Sequence, residues 1–543
     1  MRPTTLVRAR FGPDADRRSA ADRAHRGDIE GALGTVSSLD TGPRHTLSRR
    51  FATLAAVMGP GLVVMVADND AGGITTYAQT GQEYGLRLLC VIVLLAPVLY
   101  VNQEMVGRLG AVTGAGHARL IVERFGRSWG AFALGDLLVL NLLTLITELI
   151  GVSLSLGYFG VSRVISVPCA AGFLIAATAT GSFRRWERAM YLCIVVSLVA
   201  IPLLVVSAAA HHSSALTLPI AGEAHASGVL LVVALVGTTV APWQLFFQQS
   251  NVVDKRITAR YVAYERVDTA IGTALFVLGA LAILLACAFA FAGSALHGTF
   301  SDAAGIADGL RARIGPVAGA LFAVALLDGS LLGASAVTLA SSYAVGDYLG
   351  LRHSLHRCWG GAPTFYRTYV IAVLAASAVV LLPDVPLGLL TTAVQALAGI
   401  LLPSATVFLL LLCNDRAVLG PWVNPRWLNA IALTVVGSLL VLSALLTLTT
   451  AFRGLAVAPT ATTLAGVLAV VLTVVALRTR RIRTPRADAQ AGGAGIWTMP
   501  PIESLARPTP SRARSLALVT LRCYLGLAVA LLVVKAVQVA VAG

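Results

Sequence analysis

Two aspartates interrupt an apolar stretch near the start of the chain. The segment 58–85 reads MGPGLVVMVADNDAGGITTYAQTGQEYG, and it begins as an apolar helix before Asp68 and Asp70 occur. Gly72 and Gly73 relax the backbone there, and short polar side chains compete for its hydrogen bonds, so the helix is predicted to break. A carboxylate at the depth of a bilayer is costly and marks a functional site. Asp70 is the leading candidate for a cation ligand, with helix capping as the alternative.

A second interruption lies in the other half of the chain. The segment 232–250 reads VVALVGTTVAPWQLFFQQS, in which Pro242 removes a backbone donor from an apolar helix. Pro242 alone would indicate only a kink. Broken segments at corresponding positions in two halves indicate an inverted-repeat transporter, with the substrate bound near the bilayer midplane. A carboxylate beside the free carbonyls of two facing breaks predicts a cation site.

The composition places these breaks in a membrane protein. The chain has 543 residues, of which 57% are hydrophobic and 12% charged, whereas a soluble domain carries about 25% charged residues. Apolar runs of roughly 20 residues match the thickness of a bilayer. The net charge of +15 comes from arginines between these runs, as in cytoplasmic loops, so no nucleic-acid partner is expected. The seven cysteines lack zinc-site spacing and are expected to be packing residues.

The distribution of Lys and Arg predicts a multi-pass protein of the plasma (inner) membrane with a cytoplasmic N-terminus. The last apolar stretch contains Arg522 and Lys535, so it is either a further span or a helix on the membrane surface. The predicted organisation is a flexible basic cytoplasmic tail (1–50), a transporter core (51–425, with inverted repeats of about 51–210 and 228–413), two peripheral transmembrane helices (426–478), a basic cytoplasmic linker (479–514) and the last transmembrane or interfacial helix (515–543).

Several motifs together resemble the NRAMP family of divalent metal transporters over most of residues 50–450. The family has GPG followed by D-P-G-N in its first helix, and this chain has GPG at 59–61 and DAGG at 70–73. The third span contains TELIG, which is similar to the end of the family's D-L-A-E-V-I-G and places Glu148 on its glutamate. Gln395 precedes a proline by the same eight residues as in the family. No single motif is specific, but their order and spacing are.

The resemblance implies an all-α, polytopic membrane protein of the LeuT-type inverted-repeat fold, with broken helices one and six and about 12–13 transmembrane helices. It implies Asp70 as the anionic ligand and the backbone carbonyls of Ala67 and Thr238 as further ligands. Gln395 would contact the ion or a bound water, or else form an interhelical hydrogen bond. The bilayer and the transported ion are the expected partners. A monomer is expected to suffice, the oligomeric state is left open, and neither a cofactor nor enzyme activity is expected.

The departures from the family pattern concern the metal ligands. The family's asparagine is Gly73 here, its methionine is Ala241, its histidine is Trp243 and the aspartate of D-L-A-E is Leu145. Removing a thioether removes a preference for soft metals, and losing the asparagine is expected to leave room. Mg²⁺ retains several waters and needs such room. The pattern resembles the NRAMP-related magnesium transporters, which implies import of partly hydrated Mg²⁺, and also Mn²⁺, without proton coupling. Two more residues are expected to shape the site, Pro242 and Asn69, while Trp243 is a wall, a plug or a packing residue.

Other interpretations remain open at this stage. Glu148 either carries a proton or pairs with an arginine as a structural acid. The first alternative function is a proton-coupled Mn²⁺/Fe²⁺ symporter of the ordinary NRAMP type, and a different class is a membrane metal sensor that transports nothing. Glu104 is expected to pair with the nearby basic loop. Asp328 is expected to pair with an arginine, with a second ion site as the alternative.

Overall fold

The protein is described from a computed structural model in which nearly all ordered segments are helices. Nineteen α-helices lie among the described residues before position 482, and a two-stranded hairpin precedes the first of them. The described residues are 23–40, 42–216, 226–383, 387–451 and 456–481, with short pieces between 497 and 523. Most of the predicted linker 479–514 and of the last apolar stretch therefore lies outside the described residues.

The first nine helices carry the first half of the predicted core. They are α1 (Leu47–Val57), α2 (Pro60–Val66), α3 (Ala71–Tyr84), α4 (Leu89–Thr113), α5 (His117–Phe125), α6 (Arg127–Tyr158), α7 (Arg163–Thr178), α8 (Phe183–Ser197) and α9 (Ala200–Leu216).

The remaining helices follow the second interruption. They are α10 (Ala226–Thr239), α11 (Pro242–Asp254), α12 (Val262–Phe291), α13 (Ala303–Arg313), α14 (Pro316–Leu349), α15 (Pro363–Leu381), α16 (Leu387–Cys413), α17 (Arg416–Leu419), α18 (Arg426–Ala451) and α19 (Val457–Arg481).

Both predicted helix breaks are present. The helix α2 ends at Val66 and α3 begins at Ala71, so the backbone leaves the helix between them. The helix α10 ends at Thr239, and α11 begins with Pro242 at its first position, where the missing amide hydrogen is not needed. Local composition therefore placed both breaks correctly.

Eight helices in the described part of the chain are long and apolar enough to cross a membrane, or nine if the pair α1 and α2, bent by 55°, counts as one span. Shorter apolar helices occupy several of the other predicted spans. The buried fraction of the apolar window distinguishes central spans from peripheral ones. The apolar window of Leu231–Asp254 is 94% buried, against 28% for Phe183–Ala210. The broken sixth span thus lies inside the bundle, packed against α4, α14 and α16, whereas the fifth faces outward.

The N-terminal segment differs from the predicted flexible tail. Strands β1 (Ile29–Gly31) and β2 (Gly34–Val36) pair antiparallel and pack on α1 and α8. The backbone amide of Ala32 donates to Glu187 of α8 at 2.5 Å. Arg256, just after α11, donates to the backbone carbonyl of Ala24 at 2.8 Å. The prediction of a flexible tail is therefore wrong for this stretch, because backbone groups of the hairpin are bound by Arg184 and Glu187 of α8.

A buried ion pair lies under the hairpin, at the bend between α1 and α2. Lys255 and Glu187 are both almost fully buried, with 2.6 Å between Nζ and Oε1. Lys255 also donates to the backbone carbonyl of Met58 at 2.5 Å. Gly59 has a φ of 150°, and a Cβ there would overlap the Glu187 carboxylate. Only glycine allows the backbone this conformation beside the pair.

Candidate functional site

The two helix breaks face each other in the centre of the bundle. A Cβ built on Gly73 of α3 would lie 3.2 Å from the Thr238 hydroxyl oxygen of α10. On the other side of the break, Asp68 accepts a hydrogen bond from the Gln244 side chain of α11. These contacts join the first span to the sixth within a few residues of the two breaks. The sequence predicted this juxtaposition only through the likeness of the two halves.

Asp70 is both a helix cap and a buried carboxylate at the break. It is 3% exposed, and its Oδ1 accepts from the Gly73 backbone amide at 2.7 Å. This is the geometry of an N-cap, in which the side chain satisfies a free amide of the first turn. The two roles predicted as alternatives are compatible, because one carboxylate offers more lone pairs than a single cap consumes.

Glu148 of α6 lies directly beside Asp70. It is fully buried, and its Oε2 accepts from the Ala71 backbone amide at 3.0 Å. A Cβ built on Gly333 of α14 would lie 2.8 Å from Asp70 Cβ and 3.0 Å from Glu148 Oε2, so the two acidic side chains are neighbours. Within the described residues Glu148 forms no ion pair with an arginine, so the predicted structural pairing is not found. Two carboxyl groups this close share a proton unless a cation lies beside them.

Gly73 does not leave the room that the sequence analysis expected. A Cβ at this position would lie only 2.8 Å from the backbone carbonyl oxygen of Asp68 and 3.3 Å from the ring of Tyr77. The absent side chain is therefore replaced by backbone and by an aromatic ring rather than by open space. The expectation of a wider site at this position is wrong, because the broken backbone folds onto the glycine.

The other predicted ligands have different outcomes. Ala67 caps the end of α2 and is fully buried at the break. Thr238 is 2% exposed, and its hydroxyl lies beside Gly73. Gln395 lies in α16, but its side chain is outside the described part of the structure. The roles of these residues as ligands remain predictions.

The helix-six break offers neither sulphur nor imidazole. Ala241 is the N-cap residue of α11 and is 6% exposed. Trp243 is buried and packs edge-on against Phe247, with 6.2 Å between ring centroids, so it serves as packing. In the residues that the structure describes, no three His, Cys, Asp or Glu side chains form a metal-binding group. A cation here must take most ligands from carbonyl, amide, hydroxyl or water oxygens.

Asn69 points away from the facing break. Its amide donates to the backbone carbonyl of Phe276 in α12 at 3.2 Å. It lines a cavity of about 20 Å³ between α9, α12 and α14, which has room for one water molecule. Asn69 thus links the break to the seventh span rather than shaping the space beside Asp70.

A chain of buried amides is the main feature that the sequence analysis missed. Gln103 of α4 donates to Gln244 Oε1 at 3.0 Å, and Gln244 in turn donates to Asp68. All three side chains are 0% exposed. The signal in the sequence was the run of glutamines after Pro242. It did not reveal which of them would reach an aspartate 176 residues earlier in the chain.

Glu104 and Asp328, the two acids without an assigned role, have different surroundings in the structure. Glu104 pairs with Arg108 at 3.2 Å and with Arg266 at 2.8 Å, which confirms the expected pairing with basic residues. Asp328 of α14 instead contacts the Cys193 thiol of α8. Its Oδ2 has no partner, and the predicted ion pair with an arginine is not found among the described residues.

Comparison with known sequences decides the family. The family described as Natural resistance-associated macrophage protein-like (Nramp) matches residues 61–449, which is most of the chain. The chain belongs to the Nramp family. The predicted resemblance is confirmed at that level, and its magnesium branch is not specified by the match.

Curated Nramp relatives are similar over most of their length. Divalent metal cation transporter MntH 1 of Pseudomonas aeruginosa is 30% identical over 406 residues, covering 71% of this chain and 89% of that protein. Divalent metal cation transporter MntH of Ralstonia nicotianae is 29% identical over 401 residues, covering 69% and 86%. These proteins are described as transporters and not as enzymes.

Solved structures confirm the fold. The manganese transporter of Eremococcus coleocola superposes with a TM-score of 0.63 at 21% identity, covering 81% of this chain and 98% of that one. The predicted all-α, polytopic LeuT-type architecture with broken helices one and six is confirmed. At this identity the likeness concerns the fold, and the ligands must be argued from the residues of this chain.

Proposed function

We propose that this Nramp-family protein imports divalent metal cations through the plasma membrane by alternating access, with Asp70 as the anionic ligand. The observation that carries the proposal is a buried carboxylate at the point where two broken helices meet. A divalent cation gains roughly 4–5 kcal/mol per 100 mV on moving inward, since each elementary charge contributes about 2.3 kcal/mol. The membrane potential therefore favours uptake.

We place Mn²⁺ first among the transported ions. The named relatives are divalent metal cation transporters, and the structural neighbour is a manganese transporter. Carboxylate, carbonyl and water ligands suit Mn²⁺ as well as Mg²⁺. A site without the family's methionine is thus compatible with manganese.

Mg²⁺ is the second candidate, favoured by one observation. Ala241 and Trp243 leave the helix-six break without a sulphur or imidazole donor, and only soft or borderline metals gain from such donors. The relatives' descriptions name divalent metal or manganese and give no support to a magnesium preference. The closeness of Gly73 to Asp68 also speaks against the wide site that the Mg²⁺ prediction assumed. Mg²⁺ therefore ranks behind Mn²⁺.

Proton coupling is favoured over the uncoupled transport that the sequence analysis expected. Asp70 and Glu148 are neighbouring buried carboxyl groups, and such a pair is a suitable place for a proton. A divalent cation beside both carboxyl groups would displace that proton or move with it. The resemblance links protons to an aspartate and a histidine of the family, and these positions are Leu145 and Trp243 in this chain. The pair of Asp70 and Glu148 is therefore the remaining place for a proton.

Uptake into proteoliposomes tests the proposal, with Mn²⁺ and Mg²⁺ supplied separately and internal pH recorded. We expect Mn²⁺ entry with acidification. Asp70→Asn retains a good helix cap but removes the charge, so it should abolish uptake without lowering thermal stability. Asp70→Ala should abolish uptake and also cost about 1 kcal/mol of stability through the lost cap.

Three results would contradict parts of the proposal. Undiminished uptake by Asp70→Asn would remove Asp70 from the site. Mg²⁺ entry without acidification would favour the uncoupled magnesium transporter. Metal binding without any flux would favour the membrane metal sensor. Glu148→Gln isolates the coupling, because it should preserve uptake and lose acidification.

A further inference from the structure

The hairpin and its flanking residues, 23–40, form a segment that is attached to the first predicted repeat of the core. Strands β1 and β2 of this hairpin segment pack on α1, and β1 also contacts α8. Arg184 of α8 donates to the backbone carbonyl of Gly31 at 3.2 Å. Ile29 and Val36 of the two strands are buried. The hairpin segment is therefore docked on the bundle.

The same segment is also attached to the second predicted repeat. Arg256, which follows α11, donates to the backbone carbonyls of Ala24 at 2.8 Å and of Asp28 at 3.1 Å. Arg260 donates to the backbone carbonyl of Asp40 at 2.9 Å. Arginines from both predicted repeats thus bind main-chain carbonyls of one short segment, which joins two parts of the core that are distant in the chain.

Arg256 adopts a backbone conformation that is unfavourable for a residue with a Cβ. Its φ is 65°, in the left-handed region, and it stands just after the C-cap of α11, where glycine is the usual residue. Such a conformation persists where the surrounding structure holds it. In the described part of the chain, the side-chain hydrogen bonds of Arg256 all go to the hairpin segment, at Ala24, Asp28 and Glu30.

The hairpin segment also covers a direct contact between the repeats. The buried ion pair joins Lys255 of the second repeat to Glu187 of the first, with 2.6 Å between Nζ and Oε1. The other oxygen of the Glu187 carboxylate accepts from the Ala32 amide of the hairpin at 2.5 Å. Without the hairpin, Glu187 would lose this donor and water would reach the pair, which weakens an ion pair. Docking of the hairpin and closure of the repeats therefore favour each other.

We propose that the hairpin segment is a latch that docks only while the two repeats are closed against each other at this end of the bundle. Alternating access requires the repeats to part at one end and then at the other. A segment bound to both repeats must release one of them before they part. The latch, which rests on the proposed alternating access, therefore stabilises the state that is closed at its own end.

Amide hydrogen exchange of the purified full-length protein in detergent, without added metal, tests the latch. The reporter is the segment 59–66 at the start of the first span's second helix, α2. There the amides of Gly61 and Leu62 donate to the Asp268 carboxylate of α12, at 2.7 and 3.2 Å. These hydrogen bonds join the first repeat to the second, so parting of the repeats exposes the amides to exchange.

We expect Arg184→Ala combined with Arg256→Ala to speed exchange at least tenfold in 23–40 and several-fold in 59–66. Arg185→Ala is the matched control, because Arg185 is the exposed neighbour of Arg184 on α8 and forms no hydrogen bond to the hairpin segment among the described contacts. It should leave exchange unchanged in both segments. Arg256→Ala alone preserves the test if the double variant does not fold.

The alternatives give distinct results. Faster exchange in 23–40 with unchanged exchange in 59–66 would overturn the proposal, because the hairpin would then pack on the surface without restraining the repeats. Unchanged exchange in both segments would overturn it as well, since the arginines would not hold the hairpin. Mn²⁺ uptake by the unaltered protein separates this test from the transport proposal. Absence of uptake together with the expected exchange pattern would refute the transport proposal alone.

Discussion

Replacing Gly73 by alanine should strain the break in the first span. The φ of Gly73 is not in the left-handed region, so its backbone accepts alanine and the cost comes from the added Cβ alone. That atom would lie 2.8 Å from the Asp68 carbonyl oxygen, which is backbone and cannot rotate away. Overpacking of this kind costs about 1–3 kcal/mol. Because the carbonyl borders the metal site, Mn²⁺ binding should weaken as well.

The matched control is Gly157→Ala, near the end of α6. A Cβ on Gly157 meets no atom within 4 Å, so alanine there should stabilise the helix by about 0.5–1 kcal/mol. Thermal unfolding in detergent, followed by tryptophan fluorescence, should give a lower midpoint for Gly73→Ala and an equal or higher one for Gly157→Ala. Equal midpoints for the two variants, with normal Mn²⁺ binding in both, would refute the steric argument.

Three further predictions concern the hairpin side of the bundle. Lys255→Met should lose about 3–5 kcal/mol of stability by leaving Glu187 buried and unpaired, and a second Glu187→Met change should restore most of it, as measured by thermal unfolding. Burial lowers the pKa of His353, but the Asp347 carboxylate at 3.1 Å outweighs it and raises the pKa to about 9. Since this exceeds the ordinary value of about 6.5, the stabilisation is complete below about pH 6.5 and is lost as pH rises through 9. His353→Gln should therefore flatten the pH dependence of the unfolding midpoint. Arg256→Ala should speed amide hydrogen exchange in β1 and β2, since its guanidinium holds the adjoining backbone, and unchanged exchange would show that the hairpin is held by other contacts.

The sequence was sufficient for features that depend on local composition. Apolar runs of about 20 residues determine that the chain crosses a membrane, because their length matches the hydrocarbon thickness of a bilayer. They cross it as helices, because backbone groups in the bilayer must be hydrogen-bonded within the protein. Aspartate and glycine at 68–73 and Pro242 determine where the helices break, since these residues disfavour the helix whatever surrounds them. The order of the motifs was enough to indicate the family, and Asp70 was recognised as a buried acid at one break.

Only the tertiary structure decided which atoms meet at those breaks. Gly73 looked like added space in the sequence, but the backbone of Asp68 occupies that space. The sequence did not distinguish Gln244 from the neighbouring glutamines, whereas in the structure the packing of α11 places its side chain against Asp68. Lys255 and Glu187 pair across 68 positions under a hairpin that composition alone had suggested to be flexible. Contacts of this kind depend on helix rotation and on separations of a few tenths of an ångström, which periodicity and composition do not encode.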